Sequence, residues 1–599
     1  MTSLDLALIG NGTIGGLIDA RGAVAWCCFP RFDGDPVFCS LLAGDPGADG
    51  TGVFSIEMEG TERIEQEYLP ETPILVTRIF DGSGNGIEIT DFCPRYRQAE
   101  AMFCPAVLVR QLKPIAGHPE VRVTLRAALD YGCKTRLATT SASTITFDGE
   151  PALRLSTDAP VESIRAAIPF ILDKTLTLIF GLDEDSRVET LRDATSMLER
   201  TKREWLAWRL NLQPPVEWRD AVVRAAITLE LSSHVATGAI IPAVTTSIPE
   251  APNTGRNWDY RYCWPRDAYF TATALGRLNA FGSVERYLDF LFRIADASGD
   301  AHLVPIYNLD GGEIPAEHFA PCLAGYRGMG PVRVGNKASE QAQHDLYGEA
   351  VLTAGSLIGK PSRLYDRPGV DRRDANAALL KRLEGFGQQA VRLYDKPDAG
   401  LWELRGAERV HTFSSLMCWA ACNQLSTYAK RLELHSRADF WWERAASIQK
   451  VISERSWNAE LNAYTATMDG DSLDASLLLM PRLGFLSAHH PRFVGTVEAI
   501  EKHLKHGDFV YRYIERDDFG YPENAFLVCT FWYIEALAEM GGARREQARA
   551  LFEKVLSARN PHGLLAEDLD TRTLEQWGNF PQTYCMAGII DCAIALSRE

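Results

Sequence analysis

Apolar and polar positions alternate over short runs in the first third of the chain. These runs fall at residues 6–9, 16–18, 24–27, 74–80, 86–90, 106–112, 121–127, 144–147 and 176–180, with Asp-Gly and Gly-Asn-Gly turns between many of them. A two-residue period sends alternate side chains to opposite faces of a strand, so each run predicts a short strand. Many strands with few helical patterns predict an antiparallel β-sandwich over residues 1–185. One stretch carries a second meaning: Gly10-Asn11-Gly12-Thr13-Ile14-Gly15 spells the G-x-G-x-x-G of dinucleotide sites. Such a site needs a following helix to hold the pyrophosphate. Residues 16–26 read instead as strand, turn, strand, so the glycines are taken as a turn.

The period then lengthens. Leu191, Ala194, Leu198, Trp205 and Trp208 recur at helical spacing and Pro214-Pro215 follows, so residues 186–215 read as a linker helix and a boundary. From 216 to 599 the helical period persists. It predicts helices near 217–236, 266–278, 283–297, 338–357, 374–394, 413–431, 435–456, 474–484, 493–505, 524–541, 543–558 and 581–597. A dozen helices of similar length suit two concentric rings, an (α/α)6 barrel, better than a four-helix bundle. The long connections at 238–265, 298–337, 395–412, 506–523 and 559–580 hold most of the Trp, Gly and paired charges. Loops held by a rigid scaffold are where function concentrates.

Charge and cysteine content narrow the function. A net charge of −17 without a basic block argues against nucleic acid and anionic membranes, and suits a neutral substrate. The first dozen residues lack a basic region, a long apolar core and a cleavage site, and no apolar run approaches the roughly 20 residues of a membrane helix. The thirteen cysteines are odd in number and scattered, several inside apolar stretches (Cys39, Cys418, Cys529, Cys592). All thirteen are read as reduced, and the protein as cytoplasmic.

The chemistry concentrates in one segment. Arg256-Asn257-Trp258-Asp259-Tyr260-Arg261-Tyr262-Cys263-Trp264-Pro265-Arg266-Asp267 packs rings among arginines and aspartates just before a helix. A solvated face has no need of so many rings, and a core tolerates such charges only when they are paired. The mixture suits a concave site where rings stack on a polar ligand and charges grip its hydroxyls. Two loops each add a glutamate within two residues of a tryptophan: Trp402-Glu403, and Glu575-Gln576-Trp577. An aromatic wall strips solvent from a carboxyl and raises its pKa, as a general acid requires, while a second, ionised carboxylate can activate water. Paired carboxyls so used are the machinery of glycoside hydrolysis. Glu313, Glu340 and Glu349 are further acidic candidates. His489-His490 and the His503/His506 pair lack companion ligands, so no metal site and no cofactor are expected.

The segment Trp258–Asp267 resembles the signature of glycoside hydrolase family 15, the glucoamylases, glucodextranases and bacterial trehalases. Other stretches are similar to the intracellular bacterial branch: residues 18–33, Gly325-Tyr326-Arg327-Gly328, residues 331–336, residues 473–481 and residues 526–532. The resemblance implies a β-sandwich followed by an (α/α)6 barrel. It implies an inverting, exo-acting hydrolase that releases β-glucose from non-reducing α-glucosyl ends of malto- or isomalto-oligosaccharides or trehalose. It assigns Glu403 as general acid and Glu575 as general base. Arg266 and Asp267 would hold hydroxyls of the terminal sugar, with Tyr260, Trp264, Trp402 and Trp577 around it. The partner expected is a neutral oligosaccharide or disaccharide, with a homodimer as the family-level assembly. Glucosyl transfer, phosphorolysis, or carbohydrate binding without catalysis are alternatives on the same scaffold. Gly520-Tyr521-Pro522-Glu523 departs from the Gly-Glu-Glu-Gly of bacterial relatives, which leaves substrate preference open at that loop.

Overall fold

The structure is a computed structural model that describes residues 3–44, 51–99, 101–183, 194–299, 303–357, 372–406 and 408–598. The amino-terminal part folds as two antiparallel sheets. One runs in the order Ala7–Gly10, Gly15–Ile18, Val24–Phe29, Val53–Met58, Glu120–Arg126, Phe170–Ile171, with Asp35–Phe38 paired to Val24–Phe29. The other runs Ala138–Thr140, Thr144–Phe147, Leu153–Thr157, Leu176–Leu182, Val107–Ala116, Gly86–Phe92, Leu75–Asp81, Thr61–Tyr68. Ile9, Val24 and Phe54 of the first meet Leu75, Ile89 and Phe180 of the second in one apolar core. Residues 10–15 form a hairpin turn with Gly10 opposite Gly15, so the glycine motif binds no dinucleotide through a helix. Gly12 (φ 89°) has its own reason: a Cβ there would stand 2.9 Å from the carbonyl oxygen of Ser233, in the helical part.

The helices are α1 (Val161–Ala166), α2 (Ala194–Leu210), α3 (Arg219–Leu231), α4 (Pro265–Arg277), α5 (Phe281–Ser298), α6 (Leu346–Thr353), α7 (Arg372–Leu393), α8 (Thr412–Arg431), α9 (His435–Arg455), α10 (Met480–Leu483), α11 (Pro491–His503), α12 (Leu527–Met540), α13 (Gly542–Ser557) and α14 (Thr583–Leu596). Helix α2 is the described part of the expected linker helix; Leu191 lies outside the described residues. From α3 onward the helices close into the (α/α)6 barrel. The inner ring is α4, α6, α8, the 3-10 turn Ala475–Leu479 with α10, α12 and α14; each packs on the next and α14 returns to α4. Burial patterns explain the sorting. Helix α12 is buried without a break from Leu527 to Ala538, as an inner helix must be. On α9 only Ala438, Trp441, Ala445, Ile448 and Ile452 are buried, one stripe at helical spacing against the inner ring.

The sandwich packs against the barrel mouth through polar as well as apolar contacts. Arg95 pairs with Glu230 of α3 at 2.5 Å, both fully buried. Asn560 donates to the carbonyls of Leu4 and Leu6, each at 2.9 Å. Cys133 and Cys322, 189 residues apart, form a disulfide between a sandwich hairpin and the loop after α5. This corrects the reading of all thirteen cysteines as reduced, since eleven are free. Neither partner lies near the other in sequence, and only the packing of sandwich on barrel brings them together. The correction also removes the ground for a cytoplasmic assignment. Among the described residues no helix is long and apolar enough to cross a membrane.

Candidate active site

Loops preceding the inner helices converge at their amino-terminal ends around an open cavity lined by rings and charged side chains. The segment 256–267 forms much of its wall, and its residues divide between two faces. Tyr260, Trp264, Arg266 and Asp267 line the cavity. Asp259 and Arg261 turn away as a fully buried ion pair (2.8 Å), where Arg261 also donates to the Gly34 carbonyl (2.8 Å) and the Tyr131 hydroxyl (2.9 Å) of the sandwich. Pro265 opens α4 and puts Asp267 in its first turn, where the helix dipole favours a negative charge. Trp264 is the N-cap residue of this helix.

Arg266 is the hub. It donates to Gln343 Oε1 at 2.7 Å, to Asp345 Oδ2 at 2.9 Å and to Glu403 Oε1 at 2.9 Å. Glu403 also accepts from Trp264 Nε1 at 2.8 Å. Its backbone is left-handed (φ 57°), a conformation that costs about 1–3 kcal/mol in a non-glycine residue and collects at functional sites. Gly400 makes that turn possible, because a Cβ there would lie 2.8 Å from the His411 ring. Burial pushes the Glu403 carboxyl up, opposed by Arg266. Burial likewise lifts Asp267 to about 7, with Arg266 pulling down and Glu403 pushing up. Trp402 lines the cavity and donates to Asp474 at 2.8 Å.

Glu575 and Trp577 do not join them. Residues 570–575 form an exposed turn between Asp568–Leu569 and Gln576–Trp577, which pair as strands. Glu575 sits at its end, 43% exposed, and pairs with Arg327 at 2.8 Å. Trp577 is buried edge-on against Tyr326 and is not in the cavity wall. Another glutamate of the same hairpin, Glu567, turns inward, although it too stands outside the cavity wall. It is buried behind Tyr260, whose hydroxyl donates to Glu567 Oε1 at 2.5 Å, while Oε2 has no hydrogen-bond partner. Tyr260 and Trp264 lie edge to face with centroids 5.5 Å apart. One ring thus holds Glu567 and the next holds Glu403. Burial first, then the charge of Glu250, lifts Glu567 to about 8. Arg512, held by Glu250 at 2.7 Å, is the nearby cation that opposes the rise.

A sequence signal for Glu567 exists. Glu567-Asp568 interrupts the apolar run Leu564-Leu565-Ala566…Leu569, and acids within such a run are either buried or misplaced. The tryptophan two residues from Glu575 is the stronger local signal in the sequence. Of the other acidic candidates, Glu313 and Glu340 are exposed and outside the cavity wall. Glu349 is buried one helical turn below Asp345, and its carboxyl is raised by burial and by that neighbour. Among the described residues no cluster of ligands could hold a metal.

A barrel mouth that sets rings, arginines and buried carboxyls around one pocket has the equipment of a glycoside hydrolase, and comparison with known proteins agrees. Residues 217–594 match Glycosyl hydrolases family 15, and residues 4–150 match the family described as trehalase-like, N-terminal. The chain belongs to glycosyl hydrolase family 15 and is a glycoside hydrolase. It is 29% identical to a trehalase of Thermoplasma volcanium, over 98% of this chain and 93% of that one. It is also 29% identical to a trehalase of Mycolicibacterium smegmatis, over 97% and 89%. In fold it is similar to a bacterial glucoamylase crystallised with acarbose (TM-score 0.67, 12% identity, 99% and 94% covered).

Proposed function

We propose that the protein is an inverting α-glucosidase of trehalase type. It would take the terminal α-glucosyl unit of a neutral disaccharide against Arg266 and Asp267 and release it as β-glucose. The observation that carries this reading is the pair of buried carboxyls, Glu403 and Glu567, each held by one of two adjoining rings of the cavity wall. The full-length similarity to trehalases favours trehalose over longer glucans.

Glu403 is the general acid. Burial favours its protonated form, and its proton passes to the glycosidic oxygen as the C1–O bond breaks. Glu567 is the general base. A water on the opposite face attacks C1 and gives its proton to Glu567, which leaves two sugars and inverts the anomeric carbon. Tyr260 and Arg512 support the ionised form of Glu567 against burial. Inversion requires a carboxyl separation of roughly 6.5–9.5 Å, room for that water. Arg266 and Asp267 grip vicinal hydroxyls with charge-assisted hydrogen bonds.

The test is a proton NMR time course with trehalose, maltose and isomaltose. From trehalose, β- and α-glucose should appear at first in equal amounts, β from the ring attacked and α from the leaving ring, with no dependence on phosphate. α-Glucose alone at early times would overturn inversion, and glucose 1-phosphate formed only with added phosphate would make the enzyme a phosphorylase.

A further inference from the structure

Part of the cavity wall is fastened by polar contacts that the proposed chemistry does not use. The loop between Tyr513 and Asn524 has no helix or extended strand, yet its tip is a tight turn. There Asp517 N donates to the Gly520 carbonyl at 2.9 Å and Phe519 N donates to Asp517 Oδ1 at 2.8 Å. Two contacts tie this tip to the loops on either side. The Asp517 carboxylate takes both arms of Arg256, each at 2.7 Å, and also accepts from the Tyr513 hydroxyl. The Asp518 carboxylate accepts from the backbone N–H of Arg405 at 2.8 Å.

Arg405 is itself anchored. Its guanidinium grips Glu317 at 2.7 and 3.2 Å, and Glu317 takes Arg333 as well at 2.8 Å. Trp258 packs against both arginines, 5.0 Å from Arg405 and 5.3 Å from Arg333, with Phe519 edge-on at 4.9 Å. The salt bridges are shielded where it matters: Arg256 is 3% and Asp517 8% exposed, where a bidentate pair holds a single geometry.

The position of this strap follows from the chemistry. A general acid protonates the oxygen between the sugar it releases and the leaving group. Space beyond Glu403, on the side away from Asp267, is therefore where the leaving ring must lie. Arg405 is two residues from Glu403, and Arg256, Trp258, Arg405, Asp517 and Phe519 all border the same cavity.

We propose that the Asp517–Arg256 and Asp518–Arg405 contacts set substrate length, closing the leaving-group end of the cavity so that it admits one aglycone ring and excludes a second. The inference rests on the reading of the protein as an α-glucosidase with Glu403 as its acid. The paired charges are committed to one another, so they act as a wall, while the Trp258 and Phe519 rings offer the single ring a surface to stack on.

The experiment compares kcat/KM for maltose with that for maltotriose, and kcat/KM for trehalose with that for trehalose carrying one α-1,4-linked glucose on its aglycone ring. It uses the parent, Asp517→Asn, Asp518→Ala and Asp518→Asn. The parent should favour the disaccharide of whichever linkage it cleaves, and the strap variants should lower that preference about tenfold, the worth of one charge-assisted hydrogen bond. The gain should come from a lower KM for the trisaccharide. Equal use of disaccharide and trisaccharide by the parent would overturn the proposal, as would an unchanged ratio in folded strap variants. Should a variant fail to fold, the parent's ratio decides. Absence of any α-glucoside hydrolysis by the parent would instead overturn the reading on which the proposal rests.

Discussion

On the proposed mechanism, two glutamates eight residues apart, Glu567 and Glu575, are a base and a bystander, and the same conservative change at each tells them apart. Glu567→Gln keeps an oxygen to accept from Tyr260 but cannot take a proton from water. A positioned acid–base group contributes roughly 10²–10⁴ in rate, so kcat should fall by at least ~10², equivalent to about 2.7 kcal/mol of transition-state stabilisation. Folding should not suffer. The substitution removes a carboxyl that burial and Glu250 disfavour in its charged form, next to Asp568, which burial also raises. Glu575→Gln breaks one ion pair whose side chains are 26% and 43% exposed. Exposed pairs contribute about 1 kcal/mol or less, so both the rate and the melting temperature should stay close to the parent's. Initial rates of glucose release, with thermal melts on the same preparations, decide the matter. A Glu567→Gln enzyme within threefold of the parent would refute the reasoning. So would a hundredfold loss in Glu575→Gln.

Other outcomes follow from the same contacts. As the proposed base, Glu567 would have to be ionised, and its folded pKa is raised, so kcat/KM should fall as pH drops through a limb above the ordinary carboxylate range. Glu250→Gln removes the charge that raises it and frees Arg512 to lower it, so the limb should move to lower pH; an unmoved pH–rate profile would count against Glu567 as the group. Arg261→Ala leaves Asp259 buried without its partner and should cost about 3–5 kcal/mol by chemical denaturation. Cys133→Ser removes a link that closes 189 residues and should cost about 2–5 kcal/mol, with a Cys133–Cys322 peptide recovered from non-reduced parent protein by mass spectrometry.

The barrel was legible because its helices carry unambiguous periods, from the continuous apolar run of α12 to the single stripe of α9. The strand pattern was legible for the same reason, with period two in place of 3.6. The site was legible where rings and charges crowd one segment, and six of the eight residues singled out border the cavity: Tyr260, Trp264, Arg266, Asp267, Trp402 and Glu403. It failed where function depends on which way a hairpin turns. Glu567 enters the interior on one side of a short strand and Glu575 leaves it at the turn, a distinction made by pairing with Ala525–Phe526 and Gln576–Trp577. The Cys133–Cys322 pair was hidden for a related reason, since nothing local marks two distant loops as neighbours.

The division of the segment 256–267 between two faces has a genetic consequence. Among the described residues, no cavity-lining residue comes from the sandwich. Yet Gly34 and Tyr131 hold Arg261, which shares a short stretch of backbone with Tyr260 and Trp264. Changes at such sandwich positions should therefore surface as catalytic defects rather than as loss of some separate activity. A screen for inactive alleles would map a good part of its hits to a domain that never touches the sugar.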